Sequence, residues 1–379
     1  MLKAKQRRTK RKTRVHRGPV AEIDLSVLQH NYQIIRSKAG KRAVIGVVKA
    51  DAYGHGAAEV ARRLVAAGTD QLAVAYIDEA KLLREAGITV PVLVFIDQES
   101  PDDYFRYDLV PVLRDRRTAR IFSDEAVRRG TRIAVHMKID TGMGRIGFMP
   151  EQAVESALEI AGMEGLRLEG LMSHFSGADL EDRTYVQQQL QLFGDLREAI
   201  QSRARLNLCC HIANSAALLS LPDALFEAVR PGIALYGYSP LGESFGLRPV
   251  LSLKTGILAV RELPADCPVS YGKTFVTKRD SRIAVVPVGY ADGYSRLFSN
   301  NAEMLVHGRR VPVVGRVCMD MTMIDVTDIP PVSEGDEVVI LGGQGEESIT
   351  AAELAVRIST ISYEILTALG SRARKVYLH

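Results

Sequence analysis

From residue 42 to about residue 237 the chain repeats one pattern eight times. A short run rich in Val, Ile and Leu is followed by a segment whose apolar residues recur every three or four positions. The runs are RAVIGVVKA (42–50), QLAVAY (71–76), PVLVFI (91–96), LVPVL (109–113), RIAVHMKID (132–140), LRLEGLMSHF (166–175), LCCHIANS (208–215) and VRPGIALYG (229–237). Runs that are apolar on both faces read as parallel strands sandwiched by helices. The intervening AAEVARRLVAAG and EQAVESALEIAGMEG carry helical spacing and end in glycine, a helix stop. Eight strand–helix units in about 200 residues match a closed (β/α)8 barrel.

After about residue 245 the pattern changes. PVLSLKTGILAVREL, SRIAVVPVGYADGY, AEMLVHGRRVPVVGRVCMDMTMIDVTDI and DEVVILGG read as strands separated by turns, and helix returns only in TAAELAVRISTISYEILTAL. The expected architecture is α/β: an N-terminal (β/α)8, TIM-like barrel over 18–242 and a C-terminal mostly β domain over 243–379. Met321 and Met323 read as core strand residues of that domain. A length of 379 residues is enough for two domains.

The formal charge of +4 hides an asymmetry. Nine Lys/Arg and no acid fall in residues 1–17, so the rest of the chain is net acidic. That excludes a nucleic-acid-binding body and leaves 1–17 as a basic, solvated tail expected to be disordered, for which nucleic-acid contact is not expected. No apolar segment follows these charges, as a secretory signal would require, and no apolar run is long enough to span a membrane. The four cysteines, Cys209, Cys210, Cys267 and Cys318, form no C-x-x-C pair, so no metal site is expected. Free thiols in a cytoplasmic protein are the expectation.

Chemistry on such barrels sits at the C-terminal strand ends. Lys49 closes the first run and would point into the mouth, where burial lowers an amine's pKa and makes it nucleophilic. That suits a Schiff base with pyridoxal phosphate or a carbonyl substrate. A phosphate cradle is expected after strands seven and eight. There Ser215, in HIANSAA, offers a hydroxyl, and Gly232 and Ile233, in VRPGIALYG, offer backbone N–H groups. Arg230 is the candidate partner of the pyridine nitrogen. A guanidinium can only donate, so it keeps that nitrogen unprotonated, weakens the ring as an electron sink and suppresses side reactions such as transamination.

These motifs resemble the alanine racemase family. VVKADAYGHG is similar to its lysine signature. HMKIDTGMGRIGF, SHFSGAD, HIANSAA, VRPGIALYG, VSYGKT, VGYADGYSR, GRVCMDMT and TISYEIL follow in the family's order from about residue 18 onward. The resemblance implies a pyridoxal-phosphate isomerase that supplies D-alanine for peptidoglycan. It implies a homodimer whose active sites join one subunit's barrel to the other's β domain. Lys49 would carry the cofactor and act as base on the D-substrate face. Tyr271, from the partner subunit, would take the proton from L-alanine. Tyr53, Ser215, Gly232, Ile233 and Tyr363 would hold the phosphate. His174 would link Arg230 to Tyr271, and Arg145 and the Met319 backbone would hold the substrate carboxylate. Tyr290 would line the entrance, with Cys318 and Asp320 supporting the CMD segment. Lys138 corresponds to a lysine often carbamylated in the family, whose new carboxylate positions the arginine at Arg145. Ser176 and Gly177 depart from the family pattern at the pocket edge.

Three alternatives share parts of this pattern. A broader amino-acid racemase, acting for example on serine or lysine, differs only in pocket volume, and one methylene discriminates by about 1–3 kcal/mol. A non-catalytic pyridoxal-phosphate-binding barrel would lack the β domain and Tyr271. A fold-related decarboxylase is opposed by Arg230, since those enzymes place an acid there.

Overall fold

The computed structural model describes residues 18–242 and 244–379, and the basic stretch 1–17 lies outside them. The described chain divides into two compact units. One comprises Glu22–Leu251, Ile361–Gly370 and Lys375–His379, and the other contains Ser252–Thr360 and Ser371–Arg374.

The first unit is the barrel. Its parallel strands are Ala43–Val47, Gln71–Val74, Val92–Val94, Leu109–Leu113, Ile133–Lys138, Leu166–Met172, Cys209–His211 and Ala228–Val229, paired in chain order with the last beside the first. The register pairs Ile45 with Gln71, Leu72 with Val92, Val112 with His136 and Val44 with Val229. Strands seven and eight share no ladder. Their seam is bridged by the Glu227 N–H to Cys210 O (3.1 Å) and the Arg230 N–H to Ala213 O (2.9 Å).

Local sequence explains the surrounding helices. Helix Leu25–Ala39 starts at Asp24, whose carboxylate accepts from the Ser26 and Val27 N–H groups. It buries Leu25, Leu28, Tyr32, Ile35 and Ala39, a three-to-four-residue stripe. Each large aliphatic side chain there contributes about 1.5–3 kcal/mol by leaving water. Helix Arg116–Arg128 repeats the device, with Asp115 Oδ1 accepting from the Thr118 N–H at 2.7 Å.

All eight expected strands are present, but several end earlier than the apolar runs suggest. The first stops at Val47 rather than Ala50, and the seventh at His211 rather than Ser215. The extra residues form the βα loops, which stay apolar because they line the barrel mouth.

The second unit is mostly β. Arg309–Pro312, Glu303–Val306, Glu337–Gln344 and Leu251–Gly256 lie in one sheet, and Ala259–Leu263, Ser281–Val286 and Thr322–Asp325 form another. The hairpin Pro268–Val269/Phe275–Val276 carries Tyr271 at its tip. Val269 packs with Ile283 and Val314, against Leu263, Phe275 and Met323. Met323 thus joins a core cluster as expected. Met321 does not: it is exposed, because it follows the turn at 318–320 rather than sitting in the strand that starts at Thr322.

The segment in which helix returns holds two helices, Ala351–Arg357 and Ser362–Leu369. Between them Ser359 takes φ +56° within a run of β-branched residues that disfavours helix. The second helix belongs to the barrel unit, although the sequence pattern places it with the β domain.

Candidate active site

At the C-terminal ends of the barrel strands lies a cavity of about 630 Å³. Lys49, Lys138, Arg145 and Arg230 line it together with Tyr53, His174, Ser215, Gly232, Ile233 and Tyr363. Ten of the residues singled out by sequence therefore meet in one place. Ser176 and Gly177 are not among the lining residues, and Ser176 instead bonds the Gln189 amide.

Lys49 does not end a strand. It opens a turn in which Ala50, Asp51, Ala52 and Tyr53 all have φ between 52° and 55°, a left-handed helical turn built without glycine. That conformation costs roughly 1–2 kcal/mol per residue, so the surroundings must hold it. Glu79 accepts from the Ala50 N–H (2.5 Å) while its other oxygen takes the Ala75 and Tyr76 N–H groups. Asp51 accepts from the Ala57 N–H (2.7 Å) and pairs with Lys375 (2.9 Å). The turn aims both Lys49 and Tyr53 into the cavity. Burial pushes the Lys49 amine below the usual lysine range, helped by the Arg145 charge and opposed by Glu79. His55, just behind, is structural: its Nδ1 meets the Ala52 and Tyr53 carbonyls and its ring stacks on Tyr236.

The cradle is built at strand ends seven and eight. Asn214 caps helix Ser215–Ser220, and Ser215 Oγ accepts from the Gly232 N–H (2.9 Å) and the Ala234 N–H (3.2 Å). The Gly232 N–H, expected from the sequence to face a phosphate, bonds Ser215 here, and Gly232 still lines the cavity. The Ser215 hydroxyl proton is left to donate. Gly232 is needed for space: a Cβ there would stand 2.5 Å from Tyr53 Oη. The Tyr53 and Tyr363 rings approach to 5.9 Å, and burial raises both phenols, Tyr363 to about 12, so both remain hydrogen-bond donors.

Arg230 is buried and has no carboxylate partner among the described residues. Its Nη1 donates to His211 Nδ1 and His211 O (both 2.7 Å), and its Nη2 to Ser173 O (2.6 Å), Ile212 O and His174 Nδ1 (both 3.2 Å). Among the described residues, only its Nε–H has no acceptor. Burial, with Arg145 nearby, lowers it to about 9. Because Arg230 donates, His211 Nδ1 must accept. His211 Nε2 therefore carries hydrogen and donates to His136 Nδ1 at 2.8 Å. Burial first, and Arg230 second, hold His136 at about 4 and His211 and His174 well below the usual imidazole range. All three rings are neutral.

Sequence reasoning missed Glu79, His136 and His211. A signal existed for one of them: His136 and Lys138 sit two apart on one strand and so share its inward face. Lys138 is buried, and desolvation, Arg230 and Arg145 bring it to about 7. Arg145 lies on a loop organised by Asp140, whose carboxylate accepts from the N–H groups of Gly142, Met143, Gly144 and Arg145.

The remaining predicted residues lie in the second unit and cluster there. Ser270 Oγ donates to Arg316 O (2.7 Å) and touches Cys318 Sγ (3.6 Å), tying the Tyr271 hairpin to the CMD segment. The Tyr290 and Ala291 N–H groups donate to the Cys318 and Met319 carbonyls, both at 3.0 Å. A Cβ at Gly289 would overlap those carbonyls. Asp320 accepts from Arg372 (3.0 Å). Tyr271 is 70% exposed, Met319 54% and Tyr290 43%.

A (β/α)8 barrel whose mouth gathers two lysines and two arginines around one cavity has the makeup of an enzyme of that class suited to an anionic ligand. Comparison with known proteins narrows this. Residues 23–240 match the alanine racemase N-terminal domain, and 250–377 match the alanine racemase C-terminal domain. The alanine racemase of Thermodesulfovibrio yellowstonii is 49% identical over 362 residues, covering 94% of this chain and 97% of that protein. The crystal structure of alanine racemase from D-cycloserine-producing Streptomyces lavendulae superposes with a TM-score of 0.92 at 34% identity, covering 97% and 98% of the two chains. Alanine racemase from Bartonella henselae, solved with covalently bound pyridoxal phosphate, gives 0.87 at 27% identity, covering 95% and 99%. The chain belongs to the alanine racemase family. Its activity is accordingly that of an amino-acid isomerase, alanine racemisation.

Proposed function

We propose that the chain interconverts L- and D-alanine with Lys49 and Tyr271 as opposed bases, and that the barrel cavity holds pyridoxal phosphate. The observation that carries the reading is the cavity's charge. Lys49, Lys138, Arg145 and Arg230 face one space, and such a field favours a phosphate and a carboxylate together. Gly232 leaves room for the Tyr53 hydroxyl, which a Cβ would meet at 2.5 Å, so a phenol donor lines the same cavity wall as Ser215, a donor set that fits a phosphate. Bound there, pyridoxal phosphate supplies an electron sink for the charge left on the substrate α-carbon.

The protein's own groups then divide the work. The Ser215, Tyr53 and Tyr363 hydroxyls, with the Gly232–Ile233 turn, would hold the phosphate. Arg230, whose Nε–H has no acceptor among the described residues, would face the ring nitrogen, and being a donor only, it would keep that nitrogen unprotonated. His174, His211 and three carbonyls keep the guanidinium in place. Arg145 and the Met319 backbone orient the substrate carboxylate. Lys138, close to half neutral at physiological pH, is suited to take up carbon dioxide as a carbamate, whose charge would anchor Arg145. Inversion needs a proton removed from one face of the α-carbon and delivered to the other. Lys49 moves it on the D side and Tyr271 on the L side, and a lowered amine pKa brings Lys49 toward the range where a base works well.

Tyr271 comes from a second copy of the chain, making a homodimer with shared sites. The support is exposure: Tyr271, Met319, Met321 and Tyr290 present aromatic and thioether surface of the kind enriched at interfaces. Alanine is preferred over serine and lysine on family grounds. The protein is read as cytoplasmic, and among the described residues no helix is long and apolar enough to cross a membrane.

The test is D-isomer formation from L-alanine, L-serine and L-lysine, measured across a dilution series with the mass followed by light scattering. Turnover of alanine that collapses as the dimer dissociates is expected. Equal turnover of serine removes the alanine assignment, and a fully active monomer removes the shared site.

A further inference from the structure

The left-handed turn that aims Lys49 and Tyr53 is pressed from one side by the C-terminal segment, and the contact is backbone on backbone. A Cβ at Gly54 would stand 2.5 Å from Leu366 O. A Cβ at Gly370 would overlap Gly54 O and stand 3.0 Å from Gly54 Cα. A Cβ at Gly56 would overlap the Tyr377 hydroxyl. Beside these contacts Lys375 pairs with Asp51 at 2.9 Å and donates to Gly370 O at 3.2 Å.

Gly54 and Gly56 have φ of +84° and +91°, so their backbones alone call for glycine. Gly370 differs. Its φ of −83° and ψ of −9° suit any residue. What it requires is space, because the Gly54 peptide occupies the position of its side chain. Gly370 also ends the helix Ser362–Leu369, which carries Tyr363 into the cavity. One short segment therefore delivers a phosphate ligand and supports the turn bearing the amine.

We propose that Gly370 is a positioning residue for the Lys49 turn, seconded by Lys375 through Asp51. Neither residue lines the cavity. They act by keeping residues 50–53 left-handed, so that the Lys49 amine and the Tyr53 hydroxyl converge. The proposal rests on the reading of Lys49 as the amine that carries the cofactor.

The experiment uses the full chain loaded with pyridoxal phosphate and compares Gly370→Ala with Gly162→Ala, a helical glycine with open space around it. Gly370→Ala is expected to speed amide exchange across 50–57 and to weaken pyridoxal phosphate binding, each about tenfold, as for overpacking by one methyl group. Exchange in strand Ile133–Lys138 stays unchanged, which general destabilisation would not allow. Lys375→Met is expected to give about a threefold effect on the same two readouts, as befits a half-exposed ion pair, with Lys375→Arg restoring it. Should Gly370→Ala fail to fold, the lysine pair decides. Unchanged exchange and binding in the folded variants would overturn the proposal. Lys49→Ala separates the two ideas: retention of cofactor on that variant through a denaturing column would end the Lys49 reading, while exchange at 50–57 still reports on Gly370.

Discussion

At the barrel mouth the chemistry-bearing side chains are buried and many have several internal partners. Arg230 spends its two terminal nitrogens on three carbonyls and two imidazoles, and Ser215 collects two N–H groups. On the second unit the arrangement is reversed. Tyr271, Tyr290 and Met319 are exposed, and only the backbone beneath them is organised, through the Cys318 and Met319 carbonyls and Ser270. The barrel tunes side-chain ionisation by desolvation and neighbouring charge, whereas the second unit sets position and leaves the side chains to whatever covers them. On the proposed shared site, the preorganised barrel residues would hold a ligand by themselves, and the exposed residues would act only once a second copy covers them.

Substitutions at the two halves should therefore fail differently. The largest effect is expected for Lys49→Ala, which removes the amine and should leave no cofactor attached after denaturing gel filtration, with turnover reduced more than about 1,000-fold. Tyr271→Phe comes next. Loss of a general base costs typically 100- to 10,000-fold, yet cofactor retention should match the parent. Its unfolding midpoint should barely move, because exposed positions shift stability by about 0.5 kcal/mol or less. A Tyr271→Phe protein that loses its cofactor would erase the distinction between the halves.

Arg230→Ala addresses the barrel's internal holds. It takes the guanidinium donor from the Ser173 and Ile212 carbonyls and two imidazole nitrogens, while His211 O keeps the Ser173 N–H, and buried unsatisfied groups cost about 1–3 kcal/mol each before water enters. A urea-unfolding loss of about 2–5 kcal/mol is expected even without cofactor. A loss as small as that for Tyr271→Phe would mean the network is not structural.

The smallest effect is graded with pH. His55 and His136 are held at about 4, and His174 and His211 are also depressed. Below the free imidazole value of about 6.5 the unfolded chain takes up protons that the folded barrel does not. Their stabilising contribution is thus complete above about 6.5 and is lost as pH falls from there toward 4. Urea midpoints at pH 7, 6 and 5 should decline accordingly, and the decline should be shallower in His136→Asn. A flat profile over that range would show the rings are not held neutral.

The eight apolar runs and their order made the barrel legible, because period and length are local properties of a sequence. The residues facing one cavity were legible through motif position, Lys49, Arg145, Ser215 and Arg230 among them. Strand ends were not, since apolar residues continue into loops that line the mouth. The exposed Met321 was misread for a related reason: a methionine beside a strand has the same pattern whether it faces core or solvent.

What the sequence determined alone was the count of strands, the mostly β character of the second unit and the identity of the chemical groups. What only the tertiary structure decided was how those groups are held. A left-handed turn of four non-glycine residues has no local signature, because no local preference favours it. It exists because Glu79, Asp51 and the close approach of Gly370 to Gly54 hold it. Such contacts join residues up to several hundred positions apart, and only the folded chain brings them together.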